Sequence, residues 1–299
     1  MIVITGATGH TGQPAAEALL AKGEKVRVIG RDAAKLEPFV KKGAEAFAGN
    51  VQDAAAMAKA FTGATVAYLI VPQSKEEDVR AYQENVTDTY AKALVAAKVP
   101  FAVTLSSMGA QHPEKTGPIV GLHNMETKFN KIAGLNVLHL RPTQFMENLL
   151  MSIPPLRMLG SLPGASPGDV AQPWIATKDI GAYAATRLAA CNFSGSSVQE
   201  LSGPRDVTWK EIASIIGGAI GKPKLGYMQV PFMMLEPAFK QMGMSAKMAA
   251  LMVEMLKAAN AGLLVPQQPR TAANTTPTTI ESFIADVFAP AFNTKSTSA

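Results

Sequence analysis

Near the start of the chain, Gly6-Ala7-Thr8-Gly9-His10-Thr11-Gly12 places three glycines directly after an apolar run, Ile2-Val3-Ile4-Thr5, and directly before a helical pattern. This order of parts constrains the fold more than any other feature of the sequence. A buried strand that turns sharply into a helix needs residues without a Cβ where the backbone doubles back. The helix start beyond it leaves backbone N–H groups unpaired and aimed at whatever lies in front. A pyrophosphate suits that arrangement, so Gly6, Ala7, Thr8, Gly9, His10, Thr11 and Gly12 are expected to bind one. The alternative is a glycine turn that serves only the fold.

The next hundred residues repeat the strand-then-helix pattern. Apolar runs at 2–5, 25–29, 44–47, 65–71 and 100–105 read as strands, separated by helical stretches at 14–21, 33–41, 54–61 and 75–97. A sixth strand at 136–141 follows a helix around 124–132. Short buried strands alternating with helices give a parallel sheet covered on both faces. Right-handed crossovers then predict the strand order 3-2-1-4-5-6 of a doubly wound, Rossmann-type α/β fold. After Arg141 the character changes, with Pro142, Pro154, Pro155, Pro163 and Pro167 breaking the chain. That loop-rich segment is where substrate-contacting loops would sit. Further helices are expected at 179–190, with Asp179 as a cap, and at 208–220, where Thr208 and Glu211 make a capping box. A late strand ends at Glu200-Leu201-Ser202-Gly203, and no internal repeat is evident. The predicted division is 1–150 for the dinucleotide domain, 151–292 for a mixed lobe that returns elements to the sheet, and 293–299 for a frayed polar tail.

The end of the second strand decides which dinucleotide is expected. An NAD-selective site usually carries an acidic residue there to hold the ribose 2′-OH. Here the strand ends Val28-Ile29-Gly30-Arg31-Asp32, so Arg31 stands at the reading position with Lys35 one helical turn on, a pairing suited to a 2′-phosphate. Asp32 would favour NAD, but it also suits the N-cap of the next helix. The expected cofactor is therefore NADP(H), with Asn50 and Val51 along its adenine edge. The net charge of +5 is spread over scattered lysines and arginines, which suits an anionic small ligand and not nucleic acid.

The chain resembles the NmrA-like group of atypical short-chain dehydrogenases, which includes quinone and triphenylmethane dye reductases. The resemblance is carried by Gly6–Gly12, Arg31, Leu105-Ser106-Ser107, His123 with Glu126, and Arg141-Pro142-Thr143-Gln144-Phe145-Met146-Glu147-Asn148. Later markers are Asp179-Ile180 and Glu200-Leu201-Ser202-Gly203-Pro204, so it spans nearly the whole chain. It implies a Rossmann fold with a smaller C-terminal substrate lobe and NADP(H) as ligand. It also implies that Phe145 and Asn148 lie beside the nicotinamide end. Val71 and Ser106, after the fourth and fifth strands, are assigned to the cofactor as well, and Pro72, Phe145, Met146 and Trp174 to a substrate pocket. The group contains both reductases and cofactor-sensing regulators.

Short-chain reductases usually protonate the substrate with a Tyr whose pKa is lowered by a Lys four residues later. Four residues after Tyr68, Tyr82, Tyr90, Tyr183 and Tyr227 stand Pro72, Val86, Leu94, Arg187 and Pro231, so that pair is absent. His123 occupies the place where benzylic ether and isoflavone reductase relatives carry a catalytic Lys, and where the quinone and dye reductases resemble this chain in having His. It is expected either to donate a proton or to hydrogen-bond the nicotinamide ribose. Ser106 and Ser107 could polarise a substrate or simply cap the strand end. His10 is expected over the cofactor, and no spacing suggests a metal site.

Two functions remain open at this point. One is an NADPH-dependent oxidoreductase acting on a small, apolar, electron-poor acceptor such as a quinone, imine or iminium, enone or dye. The other is a non-catalytic NADP(H) sensor that binds a protein partner. The methionines from Met228 to Met255 bear on the choice: they could line an adaptable pocket or pack between helices as core. A dry pocket facing the nicotinamide would favour the enzyme, and exposed apolar surface a partner. A homodimer is compatible with either. Cys191 is the single cysteine and the longest apolar stretches fall short of a membrane span, so a reducing, cytoplasmic setting is expected.

Overall fold

In the computed structural model, which describes residues 1–294, the first apolar runs become strands with both faces covered. In chain order the dinucleotide half contains β1 (Ile2–Thr5), α1 (Gly12–Ala21), β2 (Val26–Gly30), α2 (Glu37–Val40), β3 (Glu45–Ala48), α3 (Ala54–Phe61), β4 (Val66–Leu69), α4 (Val79–Ala96), β5 (Phe101–Leu105), α5 (Ile119–Phe129) and β6 (Asn136–Pro142). The remainder contains β7 (Gln144–Phe145), a 3₁₀ turn at Met146–Ser152, α6 (Ile153–Leu159), β8 (Leu162–Gly164), β9 (Gln172–Ile175), α7 (Thr177–Ala190) and β10 (Ser196–Leu201). It continues with β11 (Asp206–Val207), α8 (Trp209–Ala219), β12 (Tyr227–Gln229), α9 (Phe232–Gln241), α10 (Ala246–Asn260), α11 (Ile280–Phe283) and α12 (Ala289–Asn293).

The main sheet runs β3-β2-β1-β4-β5-β6-β10, every pair parallel, which is the expected order extended by one strand. All four residues of β1 and of β4 are buried, because helices cover both faces of the sheet. On one face Ile4, Tyr68, Val103 and Leu140 pack against α1 and α7. On the other Val3, Leu69, Ala102 and Val137 pack against α3, α4 and α5. β10 returns from the second half of the chain to pair with β6 from Val137 to Pro142, so the two halves share one sheet.

Three expected helices change their limits for local reasons. The stretch expected as helix 33–41 forms only one turn, α2. Asp32 Oδ1 accepts from Ala34 N at 3.0 Å and holds a turn there, and Pro38 restricts the helix to a start at Glu37. Asp32 is thus not the cap of α2. The stretch expected as helix 75–97 becomes α4, which starts at Val79 because Asp78 Oδ1 caps it through Ala81 N at 3.0 Å. α5 begins five residues earlier than expected, straight after Pro118. The Thr208 cap forms as expected, with its hydroxyl accepting from Glu211 N at 3.1 Å. Asp179 does not cap α7. Its carboxylate instead accepts from Thr278 N at 2.9 Å and from the Thr278 hydroxyl at 2.8 Å, which ties the distant C-terminal segment to the helix.

The C-terminal lobe has its own core, where Trp174 meets Trp209 edge-on at 5.1 Å among Leu156, Ile212, Ile216 and Phe288. α9 and α10 form a hairpin beside it with a small apolar centre of Ala165, Leu235 and Val253. Four methionines of this region do not join that centre: Met228 in β12 and Met233, Met234 and Met242 in and just after α9 are exposed, Met233 at 84%. Neither expectation for them, pocket lining or core, holds at these four positions. No helix among the described residues is long and apolar enough to cross a membrane. Asn293 closes α12, and residues 295–299 of the expected tail lie outside the described residues.

Candidate cofactor and active site

Every strand of the dinucleotide half ends at one edge of the sheet, and the expected site residues follow those ends. Beyond β1, Gly6 turns the chain with φ of +62°, and Gly9 N donates to Gly6 O at 2.9 Å. A Cβ on Gly12 would stand 2.2 Å from that same oxygen, so the first turn of α1 approaches the loop as only glycine allows. The loop thus doubles back against the start of α1, the cradle a pyrophosphate requires. Thr8, Gly9 and His10 are exposed on its outer side, whereas Ala7, Thr11 and Gly12 are buried beneath.

Arg31 and Lys35 follow β2 and are exposed. Asn50 and Val51 follow β3: Asn50 Oδ1 accepts from Gln52 N at 3.1 Å, and Val51 is buried against the core. Val71 and Pro72 follow β4 and are partly exposed. The preceding residue, Ile70, is held by Thr5, whose hydroxyl oxygen accepts from Ile70 N at 2.8 Å. Phe145 lies partly exposed beyond β6, and Asn148 is exposed in the 3₁₀ turn.

Ser106 is buried, and its hydroxyl donates to the Glu126 carboxylate. Glu126 lies on the inner face of α5 and is clamped from the other side by Arg141, which donates from Nε at 2.9 Å and from a terminal nitrogen. The Ser106 hydroxyl is thereby committed inward, so it braces the strand end and is not free to polarise a substrate. Ser107 is turned to its own neighbourhood and donates to Met108 O at 2.9 Å.

The Glu126 clamp sets the height of α5 against the sheet. One turn nearer its start, His123 therefore lies past the end of β5, at the level of the loop 107–118. There its Nδ1 stands 2.8 Å from Ala110 O. A carbonyl can only accept, so Nδ1 carries the proton and the neutral ring keeps a lone pair on Nε2. Thr127 Oγ1 is 3.5 Å from that nitrogen. Burial raises all five phenols, Tyr68, Tyr82, Tyr90, Tyr183 and Tyr227, and none is the lowered-pKa tyrosine of the usual short-chain pair.

Two expected pocket residues are placed elsewhere. Met146 and Trp174 are each 1% exposed and belong to the core of the C-terminal lobe, Trp174 through its contact with Trp209. Their bulk goes to filling that second core, which has no sheet of comparable size to pack on. Sequence reasoning did not assign Glu126 and Arg141 to the Ser106 brace. A charged residue between Met125 and Phe129 on a helix's apolar face, with an opposite charge ending an apolar strand, was the available signal.

The family model for the NmrA-like family matches residues 1–284. Over 254 residues the chain is 27% identical to the (4-alkanoyl-5-oxo-2,5-dihydrofuran-3-yl)methyl phosphate reductase of Streptomyces griseus, covering 85% of this chain and 81% of the relative. Its structure superposes on an NADPH-dependent quinone oxidoreductase of Escherichia coli with a TM-score of 0.82 and 24% identity, over 96% of this chain and 100% of that one. A triphenylmethane reductase of Citrobacter sp. complexed with NADP(H) superposes with a TM-score of 0.77 at 18% identity, over 94% and 98% of the two chains.

Proposed function

The chain belongs to the NmrA-like family, and from that premise we propose that it is an NADPH-dependent reductase that passes hydride to a small, apolar, electron-poor acceptor. The observation that carries this reading is the glycine cradle between β1 and α1, with two cations, Arg31 and Lys35, one strand away along the same edge. The relative from Streptomyces griseus supports the acceptor class. The substrate in its name carries a ring alkene conjugated to two carbonyls. Quinones, imines or iminium ions, enones and dyes share that electron deficiency.

In this reading the backbone N–H groups of the glycine loop hold the pyrophosphate, and Arg31 and Lys35 hold the 2′-phosphate. When bound, the nicotinamide supplies the hydride. Val71, Pro72 and Phe145 border the nicotinamide end and help exclude water. His123 donates a proton from Nε2 to the acceptor atom that gathers charge. It does so as the imidazolium, because the neutral ring keeps its only proton on Nδ1, where it is donated to the Ala110 carbonyl. Acceptors that are already cationic need no such proton and place no demand on His123.

The test is NADPH oxidation against a panel of quinones, enones, imines and triphenylmethane dyes, with wild type and His123→Ala compared after both are confirmed to bind NADPH. Turnover with neutral acceptors should fall roughly 100-fold in the variant, the lower end of general acid contributions. Turnover with cationic dyes should change far less. Equal loss on every acceptor would assign His123 to cofactor binding instead.

One observation favours a second reading, the non-catalytic sensor: Met233 and Met234 are 84% and 58% exposed on a helix edge, as on a surface awaiting a protein. NADPH binding without turnover across the whole panel would select it.

A further inference from the structure

The loop that carries Ala110 belongs to the dinucleotide half in sequence, yet the C-terminal lobe holds it. His112 Nε2 stands 3.1 Å from Leu263 O, just past the end of α10. The Leu263 carbonyl can only accept, so His112 donates from Nε2. Gly109, three residues earlier, packs so closely on the neighbouring Leu264 that an added Cβ would lie 2.2 Å from its Cδ2. Farther along, Gly117 N donates to Glu254 Oε1 at 3.3 Å, and Gly117 lies against the Leu251 carbonyl so tightly that a Cβ would be 2.1 Å away. Ala110 N in turn donates to Ser107 O at 3.1 Å, and His112 N to Gly109 O at 3.1 Å, which makes the 107–112 segment one stiff turn.

We infer that the C-terminal lobe sets the orientation and tautomer of His123 through this loop, with His112 as the positioning residue. The connection is short: Leu263 carbonyl, His112 ring, the 109–112 turn, Ala110 carbonyl, His123 Nδ1. The lobe's α10 is also tied to the start of α4, through Lys247 with Asp78 at 3.0 Å and Glu254 with Arg80 at 3.8 Å. The lobe thus grips the loop and α4 from one side. A lobe displaced from this position would release the Ala110 carbonyl, and with it the fixed imidazole. The catalytic consequence rests on His123 acting as proposed above, but the tautomer control does not.

Ring-nitrogen chemical shifts of protein labelled at its four histidines test this directly. Wild-type His123 should report the Nδ1-protonated form. His112→Ala should yield a mixture of both tautomers, and His112→Gln, whose amide can still donate to Leu263 O, should restore the single form. Glu254→Ala, which loosens the loop at Gly117, should also give the mixture and stands as the second variant where His112→Ala folds poorly. An unchanged His123 tautomer in folded His112→Ala and in Glu254→Ala would overturn the inference.

Kinetics provides the second readout. His112→Ala should lower kcat about tenfold on neutral acceptors with the KM for NADPH unchanged, and add no loss in a His123→Ala background, as groups acting in series do. A loss of the same factor in that background would also overturn the inference. Full activity of His123→Ala alone, with the tautomer still under lobe control, would instead count against the catalytic reading and leave the positioning intact.

Discussion

Arg31 is exposed after β2 and enters no ion pair among the described residues, while its neighbour Asp32 spends an oxygen on Ala34 N. A cation left free at the end of the second strand, beside an acid already engaged, is the arrangement that selects a 2′-phosphate over a bare ribose. With Arg31 holding the 2′-phosphate as proposed, its replacement by Ala would remove one charge-assisted contact, worth about 1.5–3 kcal/mol. The Kd for NADPH measured by calorimetry should therefore rise roughly 10- to 100-fold. The Kd for NADH should stay within about twofold. An equal loss for both cofactors would mean that Arg31 acts on the fold of the loop and not on the 2′-phosphate.

At the scale of elements, α5 meets β5 and β6 through a column of polar groups set beside its apolar contacts, Met125 and Phe129 against Ala102 and Val137. Its upper part is Ser106, Glu126 and Arg141. Below it Thr104 Oγ1 stands 2.8 Å from His139 Nδ1, and His139 Nε2 lies 2.9 Å from Asn130 Oδ1. The Asn130 oxygen only accepts, so Nε2 carries the proton and Nδ1 accepts from Thr104. Burial pushes the His139 pKa down to about 4 from 6.5, with Glu126 acting against that fall and Arg141 adding to it. The unfolded chain thus binds a proton between those values that the folded chain refuses. The stability that neutral His139 contributes is complete above about pH 6.5 and is lost as the pH falls toward 4, by about 3 kcal/mol at the bottom of that window. Urea unfolding at pH 8 and pH 4.5 should show the loss in wild type and a smaller one in His139→Gln. Parallel losses would remove His139 as the cause.

On the scale of the molecule, the lobe and the sheet are joined by carboxylates that accept from backbone N–H groups across long sequence distances. Glu147 receives Thr177 N at 3.0 Å, and Asp179 receives Thr278 N at 2.9 Å. Glu200, on the edge strand β10, receives Gln267 N and Gln268 N, each at 2.7 Å. The Asp179 and Glu200 staples fix the 262–279 segment, which has no helix or strand of its own and would otherwise be free to open. Asp179→Ala should destabilise the protein by about 2 kcal/mol, since it strands two donors in a buried place. Limited proteolysis should then cut the 262–279 segment first, ahead of any cleavage in the main sheet. Cleavage that begins in the sheet, or no change in its rate, would show that the segment is held by other contacts.

Some of this was written into the residues one after another. The strand order followed from apolar runs of buried length, spaced by helical patterns, because a parallel sheet with covered faces is the only place such runs can go. The glycine loop was legible for the same kind of reason: close approach and positive φ are local demands that only Gly6 and Gly12 satisfy. The absence of the Tyr–Lys pair was also legible, from five positions alone. The rest depended on contacts between residues far apart in the chain. The engagement of Ser106 by Glu126, the move of Trp174 and Met146 into a second core, and the reassignment of Asp179 from a cap to a staple are of this kind. In each, the local sequence permits several partners, and the choice falls to whichever distant group the packed fold brings within hydrogen-bonding or van der Waals distance. The proton on His123 is placed in the same way, since its position depends on a carbonyl thirteen residues away that the far end of the chain holds in place.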